Sequence, residues 1–375
     1  MIKRAYEPLS SYLHPNRVLL IYGPRRCGKT TLLTQTLAEL RLPTRLVTGD
    51  DINARHILGS QDLRQLQTYV EGYPLLAIDE AQAIPNIGLG LKLLVDQVPG
   101  IQVIATGSSS FELAGQVGEP LTGRKQTLTL FPIAQSELLA SYSRFDLQQK
   151  LEDLLIYGSY PDVLLAETRA AKAAAISEIA ASYLFKDMLA FERVRSSRPL
   201  LDLLKLLAFQ VGSEVSYNEL AMKVGIDVKT VQRYIDLLEK SFVVFRLNGY
   251  SRNLRSEITS KAKVYFLDTG IRNALIAQFN GLDQRNDVGQ LWENFVIVER
   301  LKQRAYKPIY ANAYFWRTYQ GQEIDLVEER DGQLFAYEIK WSPNRRAGVP
   351  SQWAQAYPGA KFEVINRENY LNFVS

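Results

Sequence analysis

The chain has 375 residues, 46% hydrophobic and 22% charged, with a net charge of +4 and a pI near 8.9. That length predicts two or three domains at about 100–200 residues each, and the mild positive charge permits nucleic-acid binding without demanding it. No run reaches the roughly 18 apolar residues of a membrane span, MIKRAYEPLSSYL has no secretion-signal core, and Cys27 with only His14 and His56 excludes an internal disulfide, leaves too few soft ligands for zinc and fits the cytoplasm.

Residues 18–30 read VLLIYGPRRCGKT. An apolar strand from Val18 to Tyr22 runs into Gly23-x-x-x-x-Gly28-Lys29-Thr30, and TLLTQTLAEL follows with helical spacing. This strand–loop–helix order is the context of a phosphate-binding loop. The expected ATP contacts are Gly23, Pro24, Arg25, Arg26, Cys27, Gly28, Lys29, Thr30 and Thr31. The glycines let backbone N–H groups cradle phosphates at a helix N-terminus. Lys29 is placed to reach the β- and γ-phosphates, and Thr30 to hold Mg²⁺.

Next comes LLAIDE (75–80), a second buried strand ending in two acids. Asp79 suits Mg²⁺ on the Thr30 side, and Glu80 suits polarisation of the attacking water. A third apolar strand, IQVIATGS (101–108), ends in small hydroxyl residues. Thr106 there is a candidate sensor of the γ-phosphate, with Ser108 as competitor; either can instead cap the following helix. In LTGRKQTLTLFPI, Arg124 follows a glycine just before a strand. It reads either as an arginine finger for a neighbouring subunit's nucleotide or as a surface arginine.

Residues 146–210 are rich in Ala and Leu at helical spacing, with a boundary near Pro199. VSYNELAMKVGIDVKTVQRYIDLLEKSFVVFRL (215–247) reads as helix, turn, helix, strand. Ser216 with Glu219 forms a capping box, Gly225 ends the first helix, and Asp227 caps the second. Lys229, Thr230, Gln232 and Arg233 are the candidates to enter a DNA groove, and Val243 to Leu247 opens a wing. A module that contacts protein is the alternative. Arg252, Arg255, Lys261 and Lys263 extend a basic tract that also fits a solvated face.

In GQEIDLVEERDGQLFAYEIKW (321–341) two alternating runs flank Asp331-Gly332, the signal of a type I′ hairpin turn. Asp325 then faces Glu338, and Glu323 faces Lys340, all four on one face. Ile324, Leu326, Tyr337 and Ile339 take the other. Facing acids are destabilising unless a cation lies between them, so Mg²⁺ held by Asp325 and Glu338 is one reading; a solvated acidic face is the other. Glu293, on the amphipathic run QLWENFVIVERLK, precedes them. Glu293, Asp325 and Glu338-x-Lys340 follow the order of a PD-(D/E)XK nuclease, in which acids hold Mg²⁺ and the lysine orients water or balances charge. Trp316, Arg317 and the KWSPNRR run are further candidates to stack on bases or hold phosphates, core packing being the alternative for Trp316.

GPRRCGKTTLL, LLAIDEAQ, IATGSSS and LTGRKQTLTLFPI, in this order, resemble the AAA-type ATPases of bacteria and archaea. YGSYPDVLL, KVYFLDTGIRNAL, LWENFVIVERL and EIDLV…YEIKW resemble a prokaryotic group of them whose C-terminal half is catalogued as a domain of unknown function. Cys27 departs from that pattern, which has an apolar residue before the second loop glycine. The resemblance implies an α/β protein with a RecA-like AAA core (1–145), a helical lid (146–198) and a C-terminal PD-(D/E)XK nuclease-like α/β domain (253–375). The winged helix (199–252) lies between. It also implies ATP and Mg²⁺ as cofactors and a homo-oligomer, a hexamer for instance, with Arg124 acting in trans. The expected function is ATP-driven processing of DNA, branched or single-stranded, a four-way junction favoured, with metal-dependent cleavage at Glu293, Asp325, Glu338 and Lys340. The alternative is a signalling or scaffold NTPase whose nuclease-like domain is inert.

Overall fold

A computed structural model describes residues 2–108, 120–191, 198–251, 262–307, 309–344 and 347–375. Its contacts divide the chain into two units, one of Arg4–Pro132 with Lys240–Phe242, the other chiefly of Ile133–Glu239 and Val243–Ser375. The expected boundaries at 145/146, 198/199 and 252/253 do not match this division. Residues 133–145 group with the C-terminal unit, and no division falls at 198/199 or 252/253.

The first unit holds β1 (Arg17–Tyr22), α1 (Lys29–Glu39), β2 (Thr44–Thr48), α2 (Ile52–Leu58), α3 (Leu63–Val70), β3 (Leu75–Asp79), α4 (Ile87–Gln97), β4 (Gln102–Gly107) and β5 (Lys125–Thr129). The strands are parallel, in the order β2-β3-β4-β1-β5. Helices on both faces of such a sheet require near-continuous apolar strands, and Val18–Ile21, Leu75–Ile78 and Val103–Ala105 are all buried. Asp51 and Asp62 accept backbone N–H groups and start α2 and α3. Because β4 lies between β1 and β3, the carboxyl ends of all three meet at one edge of the sheet. There Tyr22 pairs with Gly107, and Ile78 with Ala105. Ligands of open α/β sheets bind at that edge. The Phe242 ring, in the turn that also belongs to this unit, packs 5.6 Å from Tyr22 and 6.0 Å from Phe131.

The second unit begins with helices α5 (Gln135–Leu138), α6 (Arg144–Tyr157), α7 (Pro161–Leu165), α8 (Arg169–Phe191) and α9 (Arg198–Phe209). Then come β6 (Glu214–Val215), α10 (Tyr217–Val224), α11 (Val228–Lys240), β7 (Val244–Gly249), β8 (Ala262–Phe266) and α12 (Thr269–Leu275). Last are α13 (Val288–Tyr306), β9 (Asn312–Arg317), β10 (Glu323–Arg330), β11 (Gln333–Ile339), α14 (Ser351–Ala356), β12 (Lys361–Ile365) and α15 (Tyr370–Val374). The strands make one mixed sheet, β12-β11-β10-β9-β7-β8-β6. β7 pairs antiparallel with β8 and parallel with β9, so the strand at the end of the helix-turn-helix is also an interior strand of the C-terminal sheet.

Gly225, at φ 77°, ends α10, and the Asp227 carboxylate accepts the Thr230 N–H at 2.9 Å. The expected capping box is half formed. Ser216 accepts the Glu219 N–H at 3.4 Å, but the Glu219 carboxylate pairs with Lys223 at 2.6 Å. In the hairpin, Asp331 and Gly332 have φ 52° and 72°, the two left-handed positions of a type I′ turn. The register from Arg330↔Gln333 to Leu326↔Tyr337 is the expected one. Strict alternation fails beyond it. A register shift against β9 between Ile324 and Val327 puts both side chains in one core cluster with Trp316, Ala336 and Trp353. Ile324 therefore does not side with Leu326, and Trp316 is a core residue.

Candidate functional site

The loop between β1 and α1 is fixed from two sides. A Cβ on Gly23 would lie 2.0 Å from the Leu130 carbonyl oxygen, so only glycine fits there. The buried Cys27 thiol donates to that same carbonyl at 3.3 Å. Pro24 is buried, Arg25 half-buried and Arg26 exposed, with Arg26 at φ 59°. Gly28, at φ 99°, precedes the first turn of α1. Lys29 is 4% exposed, and its Nζ donates to the carbonyls of Gly23 (3.0 Å) and Pro24 (2.8 Å). Thr30 and Thr31 face solvent at the helix start.

Asp79 is shared by two hydroxyls. Thr30 Oγ1 donates to its Oδ2 at 2.8 Å, and Thr106 Oγ1 donates to its Oδ1. Thr106 is fully buried and also accepts the Glu80 N–H at 3.2 Å. It therefore braces the acidic strand end. Ser108 is bonded elsewhere: its N–H donates to Gln82 Oε1 at 3.3 Å, while Gln82 Nε2 donates to the Glu80 carboxylate. Glu80 itself turns in the left-handed region, at φ 51° and ψ 44°.

Arg124 lies at the other end of the sheet. Its carbonyl accepts the Val18 N–H at 2.9 Å, beside the start of β1. Five residues of strand separate that point from the loop, about 15 Å or more. Arg124 cannot serve its own chain's nucleotide. Its Nε donates to Asp96 at 2.6 Å, and that partner raises the guanidinium pKa.

On α11, Lys229, Gln232 and Arg233 are exposed. Thr230 is not available as expected: its hydroxyl donates to Asp227 at 2.6 Å as part of the cap. Arg252, Arg255, Lys261, Arg345 and Arg346 lie outside the described residues.

Glu293, Glu323, Asp325, Glu338 and Lys340 do come together in the second unit, around Lys263, which the sequence places in a basic tract that also fits a solvated face. Lys263 is 2% exposed. Its Nζ lies 3.2 Å from Glu293 Oε1 and contacts the Glu323 carboxylate. Tyr265 OH donates to Glu293 Oε1 at 2.6 Å. Lys340 pairs with Glu338 at 2.5 Å and lies 3.6 Å from Asp325, whose Oδ2 accepts the Ile339 N–H at 2.8 Å. Glu323 thus pairs with Lys263, and with Arg317 at 3.8 Å, in place of the expected Lys340. Burial, reinforced by Asp325, pushes Glu293 up to about 7 against the pull of Lys263. Burial and Asp325 also raise Glu338. Among the described residues no three or more His, Cys, Asp or Glu side chains form a group that could hold a metal ion. Where Mg²⁺ was expected between Asp325 and Glu338, the ammonium groups of Lys263 and Lys340 stand among these carboxylates.

Residues 15–139 match the sequence profile described as the AAA domain, 148–284 a domain of unknown function (DUF8612) and 288–371 another (DUF4143). The first unit is an AAA-type P-loop domain. An uncharacterized protein of Mycobacterium tuberculosis is 28% identical over 343 residues, covering 90% of this chain and 72% of its own length. One of Haemophilus influenzae is 25% identical over 358 residues, covering 89% and 84%. Among solved structures, the RuvB Holliday junction branch migration motor of Thermotoga maritima aligns at TM-score 0.28 and 18% identity, over 61% of this chain and 82% of that one. A signal transduction ATPase with numerous domains from Pyrococcus horikoshii aligns at TM-score 0.29 and 14% identity, over 82% and 47%. Likenesses that remote carry no argument about function. No helix among the described residues is long and apolar enough to cross a membrane.

Two residues of the AAA-type domain had no sequence signal strong enough to single them out. Arg4 is 6% exposed and donates to the Cys27 carbonyl at 2.5 Å and the Phe131 carbonyl at 2.7 Å, tying the loop to the segment after β5. Its distance along the chain hid it. Gln82 stands in the recognised LLAIDEAQ stretch, where only the acids were read.

Proposed function

We propose that the chain is a cytoplasmic ATP-hydrolysing, DNA-processing protein. In this reading it is an oligomeric remodeller whose AAA-type domain turns over Mg-ATP and whose helix-turn-helix holds duplex arms of branched DNA, a four-way junction first among them. One observation carries the ATPase half: Thr30 Oγ1 meets Asp79 at 2.8 Å, beside Lys29 at the start of α1. Those hard oxygens suit Mg²⁺, which would supply charge neutralisation to the bound phosphates. Lys29, bonded here to the Gly23 and Pro24 carbonyls, would hold phosphate oxygens when nucleotide is bound. The N-terminus of α1 adds backbone donors and the positive end of its dipole. Glu80, held by Gln82, orients the attacking water, and Thr106 keeps Asp79 aimed at Thr30.

The DNA half is supported by the order α9, β6, α10, α11, β7, β8, with β8 pairing to both β6 and β7, which is that of a winged helix. Its second helix exposes Lys229, Gln232 and Arg233. The order Glu293, Asp325, Glu338-x-Lys340 around β10 and β11 supports a PD-(D/E)XK-like fold for the C-terminal strands. Its carboxylates are occupied by lysines and do not fit a catalytic metal, so no cleavage step follows and the fold serves as scaffold.

Phosphate release measured with linear, single-stranded and four-way DNA tests this reading. Stimulation greatest with the four-way junction is expected. Stimulation by no DNA would favour nucleotide-controlled protein assembly instead. Lys229→Ala with Arg233→Ala should flatten the slope of log affinity against log salt by about 2, one per lost phosphate contact; an unchanged slope removes α11 from the interface. Arg124→Ala and Lys29→Ala should each hydrolyse slowly alone, and mixing them should restore part of the turnover, because an intact Lys29 site can then meet an intact Arg124. A mixture no faster than its parts leaves Arg124 as a surface partner of Asp96.

A further inference from the structure

We propose that Lys263 is the resident cation of the C-terminal acidic cluster, so that the cluster holds together without a divalent metal. Four carboxylates meet here, those of Glu293, Glu323, Asp325 and Glu338, and the two ammonium groups of Lys263 and Lys340 stand among them. Arg317, at the rim, adds a third positive charge 3.8 Å from Glu323. A fully buried ammonium is costly unless paired and hydrogen-bonded. Lys263 has two carboxylate partners on different elements, Glu293 from α13 and Glu323 from β10. Their charges keep its pKa above the ordinary lysine value even though burial opposes this.

One oxygen of each of Glu293, Asp325 and Glu338 is already engaged. Glu293 Oε1 accepts from both Tyr265 and Lys263. Asp325 Oδ2 accepts the Ile339 N–H and faces Lys340. Glu338 Oε2 is buried without a hydrogen-bond partner, but the acids' second oxygens fall short of the octahedral set that Mg²⁺ demands, and among the described residues they form no group of three or more that could hold a metal ion. To seat a divalent ion, the site would have to expel a charged side chain that is 2% exposed and anchored near the start of β8. The ammonium therefore does for the four acids what a metal does in a nuclease, but it activates no water and cannot leave.

This inference is independent of the DNA reading and of the P-loop. The test uses the full-length chain without nucleotide, carrying Asp79→Asn so that the P-loop offers no ion site. Mn²⁺ is the probe, counted by electron paramagnetic resonance. No bound Mn²⁺ at sub-millimolar concentration is expected. Lys263→Met in the same background should lower the melting temperature by more than about 5 °C, since it strands paired acids. Adding Glu293→Gln should recover part of that loss. Binding of about one Mn²⁺ per chain by the parent protein would overturn the proposal, as would a melting temperature that Lys263→Met leaves in place. Should Lys263→Met fail to fold, the Mn²⁺ count on the parent decides alone. Strand cuts in Mn²⁺ that vanish in Asp325→Asn would also overturn it.

Discussion

Lys29→Ala should lower ATP turnover by at least about 10²–10³-fold, the usual cost of removing one preorganised charge donor from a transition state. The side chain is 4% exposed, yet its ammonium bonds only two loop carbonyls, those of Gly23 and Pro24. Each such bond from a charged donor contributes about 1.5–3 kcal/mol net, but both carbonyls belong to a loop also held by Arg4, Cys27 and the close approach of Leu130. Folding therefore keeps the loop's other anchors while hydrolysis loses its main cation. Phosphate release and a thermal melt on the same sample separate the two effects. Turnover within threefold of the parent, on a folded sample, would remove Lys29 and the loop from the reaction.

The ATPase site was legible because its chemistry is local. Gly23 to Thr30 is one continuous signal, and parallel strands put the ends of β1, β3 and β4 at one edge whatever the helices do. Spacing alone could not say how the hydroxyls are used. Thr106 turned out to hold Asp79 and the Glu80 N–H, because β4 lies directly between β1 and β3. The hairpin was legible for a similar reason, since Asp331-Gly332 fixes both turn and register. What failed were inferences that assumed alternation or solvent. Lys263 reads as one more charge after a basic tract. It becomes the centre of the acidic cluster only because β8 packs beside α13, 30 residues away from Glu293 in sequence. The contacts make no division at 252/253 because β7 serves two neighbours at once, and no local pattern announces a strand with partners on both sides.

Glu328 was missed for the same reason, and it carries the largest stability effect expected in the second unit. Alternation places Leu326, Glu328 and Arg330 on one face, which reads as half polar. In the folded unit Glu328 is fully buried, and Arg300 of α13 grips it at both oxygens, Nε at 2.8 Å and Nη2 at 2.7 Å. Arg330 lies 3.4 Å away and Arg304 3.9 Å, so one carboxylate balances three guanidinium groups. Arg300 also donates to the Phe373 carbonyl at 2.9 Å, tying α15 into the network. Glu328→Ala leaves that positive cluster buried and unpaired, a situation that costs about 3–5 kcal/mol. Glu328→Gln should cost less, since it keeps the shape and one acceptor. Arg300→Met with Glu328→Leu should regain most of the loss, because an apolar pair of similar volume replaces an ion pair well. Trp292, Trp316, Trp341 and Trp353, the four tryptophans of the chain, all belong to this unit. Their fluorescence during urea unfolding therefore reads its stability without interference from the AAA-type domain. A Glu328→Ala loss below about 1 kcal/mol would be that of an exposed ion pair and would mean that water reaches the face between β10 and α13.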